Sequence, residues 1–131
     1  MKFTAQIKNN PGDHQVTLKV GDREQTLAIA PKSTGGSSVT GGELLFLALA
    51  TCFCNDIYRE GAKRGIAVND VEVEVDGDFD AERQPASNIV YRVQVNADAG
   101  EEEIHELVMY VDSIAEIQNT IRGGTPVKLE I

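Results

Sequence analysis

The sequence predicts an α+β fold in which antiparallel strands are arranged around one long helix. Short runs alternate apolar and polar residues, as half-buried strands do. These runs group into a triplet, a pair and a single, set apart from the helices instead of alternating with them, which argues against a parallel sheet. One segment, Val39 to Gly65, is long enough to cross the whole fold.

With 131 residues, the chain is expected to be a single domain, 1–131, able to bury a core without crosslinks. Twelve Lys and Arg against 21 Asp and Glu give a net charge of -9. That charge repels phosphate backbones and anionic lipid, so no nucleic acid and no membrane partner is expected. Aromatic residues make up 5% of the chain and Trp is absent, leaving no stacking platform for bases. Two cysteines, no N-terminal apolar segment and no run of about 18 apolar residues point to a soluble protein of a reducing compartment, the cytoplasm.

Phe3, Ala5 and Ile7 alternate with Lys2, Thr4, Gln6 and Lys8, so the first strand is expected to bury one face. Asn9 to Asp13, with Pro11 and Gly12, reads as a turn. Val16, Leu18 and Val20 form the second strand, Gly21-Asp22 a hairpin, and Leu27 and Ile29 continue a third. From Pro31 to Thr40 the Gly, Ser and Thr content predicts a mobile loop, either a plain linker or a lid or partner contact.

The central helix start is written three ways. Thr40 and Glu43 can form a reciprocal capping box, and Val39 can staple onto Leu44. Lys63, Arg64 and then Gly65 suit its end. Such a helix of roughly 24 residues is about 36 Å long. From Leu44 to Cys54 it is apolar on every side, which predicts burial all round.

Val71, Val73 and Val75, then Ile89, Tyr91, Val93 and Val95, predict a second antiparallel pair joined by a loop over Asp76 to Ala86. Asp98 with Glu101 predicts a capped helix carrying Ile104, Leu107, Val108 and Val111 on one face. Ser113 with Glu116 predicts a break and a short further helix ending at Gly123-Gly124, and Val127, Leu129 and Ile131 a last strand.

Both cysteines lie on the central helix. Positions two apart diverge by about 200°, so Cys52 and Cys54 point to opposite sides and an intrahelical disulfide requires unwinding. Cys54 falls in line with Leu47, Ala50, Ile57 and Gly61, an apolar stripe; Cys52 lies above Asp56, Arg59 and Lys63. Cys52 is therefore the better candidate for a reachable thiol, although either cysteine can serve as a small buried hydrophobe. Cys52 is too far along the helix to feel its N-terminal dipole, and Asp56 opposes ionisation, so a thiolate needs an imported cation. Arg59 is a weak source. Glu43 is either a cap alone or a proton-handling carboxylate. His14 and His105 are isolated. Asp56 and Glu60 read as a solvated face, and one Cys-x-Cys lacks zinc spacing, so no metal is expected. Gly35-Gly36 and Gly41-Gly42 lack the Lys of a phosphate loop, and no cofactor is expected.

The segments E-L-L-F-L-A-L-A-T-C-F, R-G-I-A-V-N-D-V-E-V-E-V and Q-N-T-I-R-G-G-T-P-V-K-L-E-I resemble the OsmC/Ohr family, osmotically inducible protein C and organic hydroperoxide resistance protein. The resemblance runs from the central helix to the end, with the amino-terminal meander fitting in layout. It implies an OsmC-like fold, an interlocked homodimer with long helices buried at its centre and the reactive cysteine near the dimer interface. It further implies a thiolate that attacks an organic hydroperoxide, with Cys52 at the attacking position. The family's resolving cysteine falls on Ala115 and is absent, as is the proline after it. The family's glutamate, ten residues before the cysteine, falls on Gly42; Glu43, nine before, matches less characterised OsmC-like branches. No arginine occupies the first turn, where the activating cation would come from, and Arg23 is a distant substitute.

Two functions follow as expectations. One is a one-cysteine protein that reduces or senses hydrophobic organic hydroperoxides through Cys52, supported by Glu43 and reduced by an external thiol. The other is a non-catalytic homodimer binding a small hydrophobic ligand in the pocket between chains. Zinc or copper held by the two thiols is a third option that requires helix unwinding.

Overall fold

Pro11-Gly12 and Gly21-Asp22 each need a left-handed glycine to reverse the chain, and Gly12 (φ +86°) and Gly21 (φ +57°) supply it. The computed structural model, which describes residues 1–131, accordingly forms a meander of β1 (Phe3–Asn10), β2 (Asp13–Val20) and β3 (Arg23–Thr26). The strands are antiparallel in the order β1-β2-β3, with Ile7 opposite Val16 and Phe3 opposite Val20. The third strand is shorter than its pattern predicts: it stops at Thr26, before Leu27 and Ile29.

Residues 1–44 form one compact unit and residues 45–131 another. In the first, the expected burial of one face of β1 is not found, because every residue of the strand is exposed and Phe3 is 70% exposed. Alternation specifies which side chains share a face, but this unit has no second layer of its own to cover them. The loop after Ala30, expected to be mobile, is built and anchored. Pro31 bridges to Ser37, the Asn9 amide donates to the Gly36 carbonyl at 3.1 Å, and the Gly36 N–H donates to Asn9 Oδ1 at 2.9 Å.

The capping box forms as predicted. The Glu43 N–H donates to Thr40 Oγ1 at 3.1 Å, and Glu43 Oε1 accepts the Thr40 N–H at 3.0 Å. It opens α1 (Gly41–Lys63). At the other end Gly65 (φ +69°) lets the Ile66 N–H reach the Gly61 carbonyl at 2.8 Å and the Gly65 N–H reach that of Ala62 at 3.1 Å, a Schellman stop.

In the second unit α1 continues beside a two-stranded antiparallel sheet, β4 (Val68–Asp78) and β5 (Ser87–Ala97), with Val71 opposite Val95 and Val73 opposite Val93. Two further helices follow, α2 (Glu101–Ile114) and α3 (Glu116–Arg122). Phe53 and Ile57 of α1, Ile66, and Leu107 and Val111 of α2 make the core, packed against the inward valines and Tyr91 of the sheet. The burial of α1 is one-sided: Leu49, Phe53 and Ile57 are covered, whereas Leu45 and Leu47 are exposed. Two strands and two short helices supply too little surface to enclose it.

Three local expectations differ from the structure. Asp98 does not cap α2; its carboxylate accepts the Asn69 amide at 3.1 Å, and Gly100 occupies the cap. The break between α2 and α3 is present, but Ala115 makes it, and the Ser113 hydroxyl donates back to the Tyr110 carbonyl at 2.6 Å. Competing local hydrogen bonds of this kind are what make short polar side chains ambiguous as caps. The last strand does not form. Val127, Leu129 and Ile131 are exposed and outside any ladder, since a strand exists only where a neighbouring strand pairs with it.

Candidate functional site

Cys52 is half-buried on α1, with Asp56 one turn further on the same face, so the thiol donates to Asp56 Oδ2 at 3.8 Å. Opposite it begins α3. Ala115 has extended backbone (φ -61°, ψ 110°), which frees the first amides of the helix from any partner within it. Those of Glu116 and Ile117 point at the Cys52 sulfur. Burial pushes the Cys52 thiol up and the Asp56 charge adds to the rise, while the two amides pull it down by less. The thiol is protonated at neutral pH.

Asp56 and Glu60 do not form the solvated face expected of them: both are buried, at 5% and 6% exposure. Arg59 and Lys63 fold over them. Arg59 Nη2 lies 2.7 Å from Asp56 Oδ1, Arg59 Nε 3.4 Å from Glu60 Oε2, and Lys63 Nζ 2.9 Å from Glu60 Oε2. The Lys63 and Arg59 contacts outweigh burial and hold the Glu60 carboxyl below its ordinary range. Arg59 thus pairs with carboxylates and not with the sulfur.

Cys54 points elsewhere, into an open groove of about 260 Å³ lined by Leu47, Ala50, Thr51, Asn55, Val71 and Val73. It is half-buried like Cys52, so its apolar stripe does not bury it in this chain. The divergence of the two thiols is as the helix geometry requires.

Glu43 belongs to the first unit and Cys52 to the second. The Glu43 carboxylate is engaged by the Thr40 N–H and, at 2.8 Å, by the Thr40 hydroxyl, and these bonds lower its pKa. His14 takes part in a side-chain contact with Asn9 at 2.8 Å. No three His, Cys, Asp or Glu side chains converge as metal ligands.

A second polar cluster escaped the sequence reading. The Tyr91 hydroxyl donates to Asp112 Oδ1, and Arg122 Nη2 lies 2.7 Å from the same oxygen. Burial and the Asp112 carboxylate push the Tyr91 hydroxyl up, whereas Tyr91 and Arg122, against burial, hold the Asp112 carboxyl down. Beside the cluster, Leu49, Ile89, Tyr91, Gln118, Ile121 and Arg122 line a cavity of about 110 Å³. Gln118 is buried, its amide donating to the Leu49 carbonyl at 3.0 Å. The cluster of Tyr91, Asp112 and Arg122 draws on β5, α2 and α3, so no local pattern announces it.

Ala115 sits at the break immediately before the amides that reach Cys52, and its methyl is wholly buried. The position to which the resemblance assigns a resolving cysteine is therefore beside the candidate thiol and carries no sulfur.

Comparison with known proteins accords with this architecture. A family profile described as OsmC-like protein matches residues 34–130. No curated protein sequence matches the chain. Among solved structures, an OsmC-like protein from Mycoplasma pneumoniae is 20% identical with a TM-score of 0.64, over 94% of this chain and 90% of that one. An OsmC-like protein of unknown function from Vibrio cholerae is 14% identical with a TM-score of 0.62, over 92% and 93%. The organic hydroperoxide resistance protein OhrB of Bacillus subtilis is 19% identical with a TM-score of 0.56, over 99% and 97%. At these identities the structures speak for the fold, three helices with antiparallel sheets, and the profile covers most of the sequence: the chain belongs to the OsmC-like protein family.

Proposed function

We propose that the protein is a homodimeric thiol-dependent reductase of hydrophobic organic hydroperoxides, working through Cys52 by a one-cysteine route. The observation that carries this reading is the half-buried Cys52 sulfur facing two backbone amides at the start of α3. Amides so placed stabilise negative charge on sulfur and on an oxygen bonded to it. The sulfur attacks the terminal oxygen of R–O–O–H, the O–O bond breaks, R–OH leaves and cysteine sulfenic acid remains. An external thiol then displaces water to form a mixed disulfide, and a second thiol releases Cys52. Cys54 opens on a different groove, so it takes no part in resolution. Such a cycle calls for the thiol supply of a reducing cytoplasm.

The homodimer is part of the proposal. Phe3, Ile7, Leu47, Val127 and Leu129 are exposed in the single chain, and a second copy gives them a partner. In this reading Glu43 is the capping carboxylate of α1, with both of its Thr40 contacts in use.

The test is intact-mass analysis of reduced protein after brief exposure to stoichiometric cumene hydroperoxide. Rapid gain of one oxygen, lost in Cys52→Ser and kept in Cys54→Ser, supports the reading. Oxidation no faster than that of a free small thiol refutes it. One observation favours a second reading, a non-catalytic protein holding a small hydrophobic ligand between chains: Cys52 lacks a cationic partner and its pKa is raised. An apolar molecule retained in native mass spectrometry of the dimer is expected only there.

A further inference from the structure

Asp56 is an unusual side chain to find beside a candidate nucleophile. A buried carboxylate next to a thiol opposes the thiolate that peroxide chemistry needs, so a position serving only to activate the sulfur by charge would carry a cation instead. The carboxylate is kept in place by design of the helix. Arg59, three residues on, takes Oδ1 at 2.7 Å and covers it, which offsets the cost of burying the charge. Oδ2 is left facing the thiol at 3.8 Å. Thus one oxygen is anchored and the other meets the reacting atom.

Resting on the reading above, we propose that Asp56 is the acid–base group of the Cys52 reaction, its Oδ2 taking the thiol proton as sulfur attacks and returning it to the departing alkoxide. The balance is Cys–SH + R–O–OH to Cys–SOH + R–OH. The S–O bond forms as the O–O bond breaks, sulfur is oxidised, the peroxide is reduced, and the thiol proton ends on R–OH by way of the carboxylate. Cysteine peroxide chemistry otherwise relies on a preformed thiolate; here burial and Asp56 keep the proton on sulfur until a leaving group can use it. The groups around the relay agree with this assignment. On α1, Arg59 is the cation that meets Asp56, and it also reaches Glu60, which Lys63 holds at 2.9 Å. From α3 the sulfur receives the backbone amides of Glu116 and Ile117, which do not titrate in this range. A thiol-to-carboxylate distance of 3.8 Å in the substrate-free protein is of the kind that tightens when a reactant is bound.

The discriminating experiment measures two rates on the full-length protein, wild type and Asp56→Asn, near neutral pH: alkylation of Cys52 by iodoacetamide and its oxidation by cumene hydroperoxide. Alkylation needs only a thiolate, and its leaving iodide needs no proton. Removing the carboxylate charge is expected to speed alkylation, by about tenfold, because that charge adds to the burial that disfavours the thiolate. Oxidation is expected to slow about a hundredfold, the ordinary contribution of a general acid–base group. Rates moving in opposite directions are not produced by a merely structural change, which moves both together. Oxidation that stays equal or accelerates in Asp56→Asn overturns the assignment while leaving Cys52 as the peroxide-reactive thiol. If wild-type Cys52 itself oxidises no faster than a free thiol, the underlying function fails, and the assignment with it. Where Asp56→Asn does not fold, Asp56→Glu carries the test. It retains the charge and displaces the oxygen by one methylene, and slower oxidation with unchanged alkylation is expected; unchanged rates of both overturn the proposal.

Discussion

Gly61 sits where α1 meets the turn into β4 and the side of α2, and replacing it with Ala sets two effects of opposite sign against each other. Helix propensity favours Ala over Gly by about 1 kcal/mol at an interior position. The added Cβ, however, would lie 2.9 Å from Val68 Cγ2, 3.3 Å from the Ile66 carbonyl oxygen and 3.5 Å from Leu107 Cδ2. Val68 is half-buried and packed against the core, and the Ile66 carbonyl belongs to the turn fixed by the 2.8 Å bond from the Ile66 N–H to Gly61. Overpacking of this kind costs about 1–3 kcal/mol, so the clash wins by about 1 kcal/mol. Gly41 is the control: it lies in the first turn of the same helix with nothing within 4 Å of an added Cβ, and Gly41→Ala is expected to be neutral or slightly stabilising. Urea unfolding followed by circular dichroism, at one fixed protein concentration, gives both values from the shift in midpoint at constant slope. A Gly61→Ala protein as stable as wild type, or more so, would refute the packing assigned to the end of α1.

Glu43→Gln keeps a carbonyl oxygen for the capping box and removes the charge; the peroxide oxidation rate of Cys52 is expected to stay within about twofold, below the effect of a general acid–base group. A hundredfold loss in the same mass assay would return Glu43 to proton handling. The pH dependence of Cys52 alkylation follows from its raised thiol. Because burial and then Asp56 disfavour the thiolate, the rate is expected to continue rising above about pH 8.5, where a free thiol levels off. An alkylation profile that levels off below neutrality would mean that a cation reaches the sulfur.

How much of this was legible in the sequence depends on the range of the interactions concerned. The start and stop of α1 were, because Thr40, Glu43 and Gly65 act through bonds to residues three to five positions away. The meander and the second hairpin were too, since a period of two and a left-handed glycine are local properties. The divergence of Cys52 and Cys54 follows from helix geometry alone. The family was legible as well, in three contiguous segments.

What lay beyond the sequence was whatever depends on which surfaces meet. Asp98 and Ser113 have the spacing of caps, yet Asn69 and the Tyr110 carbonyl claim them. Val127, Leu129 and Ile131 alternate like a strand but have no neighbour within the single chain with which to pair. Asp56 is an ordinary surface residue by pattern; folding of Arg59 across it, and the amides of α3 opposite Cys52, turn the same stretch into a protonated thiol held against a buried carboxylate. Local sequence specified each element and where its chemistry-bearing residues point. Only tertiary packing decided which charges are buried, because burial is a property of two surfaces and the sequence of one element describes just one of them.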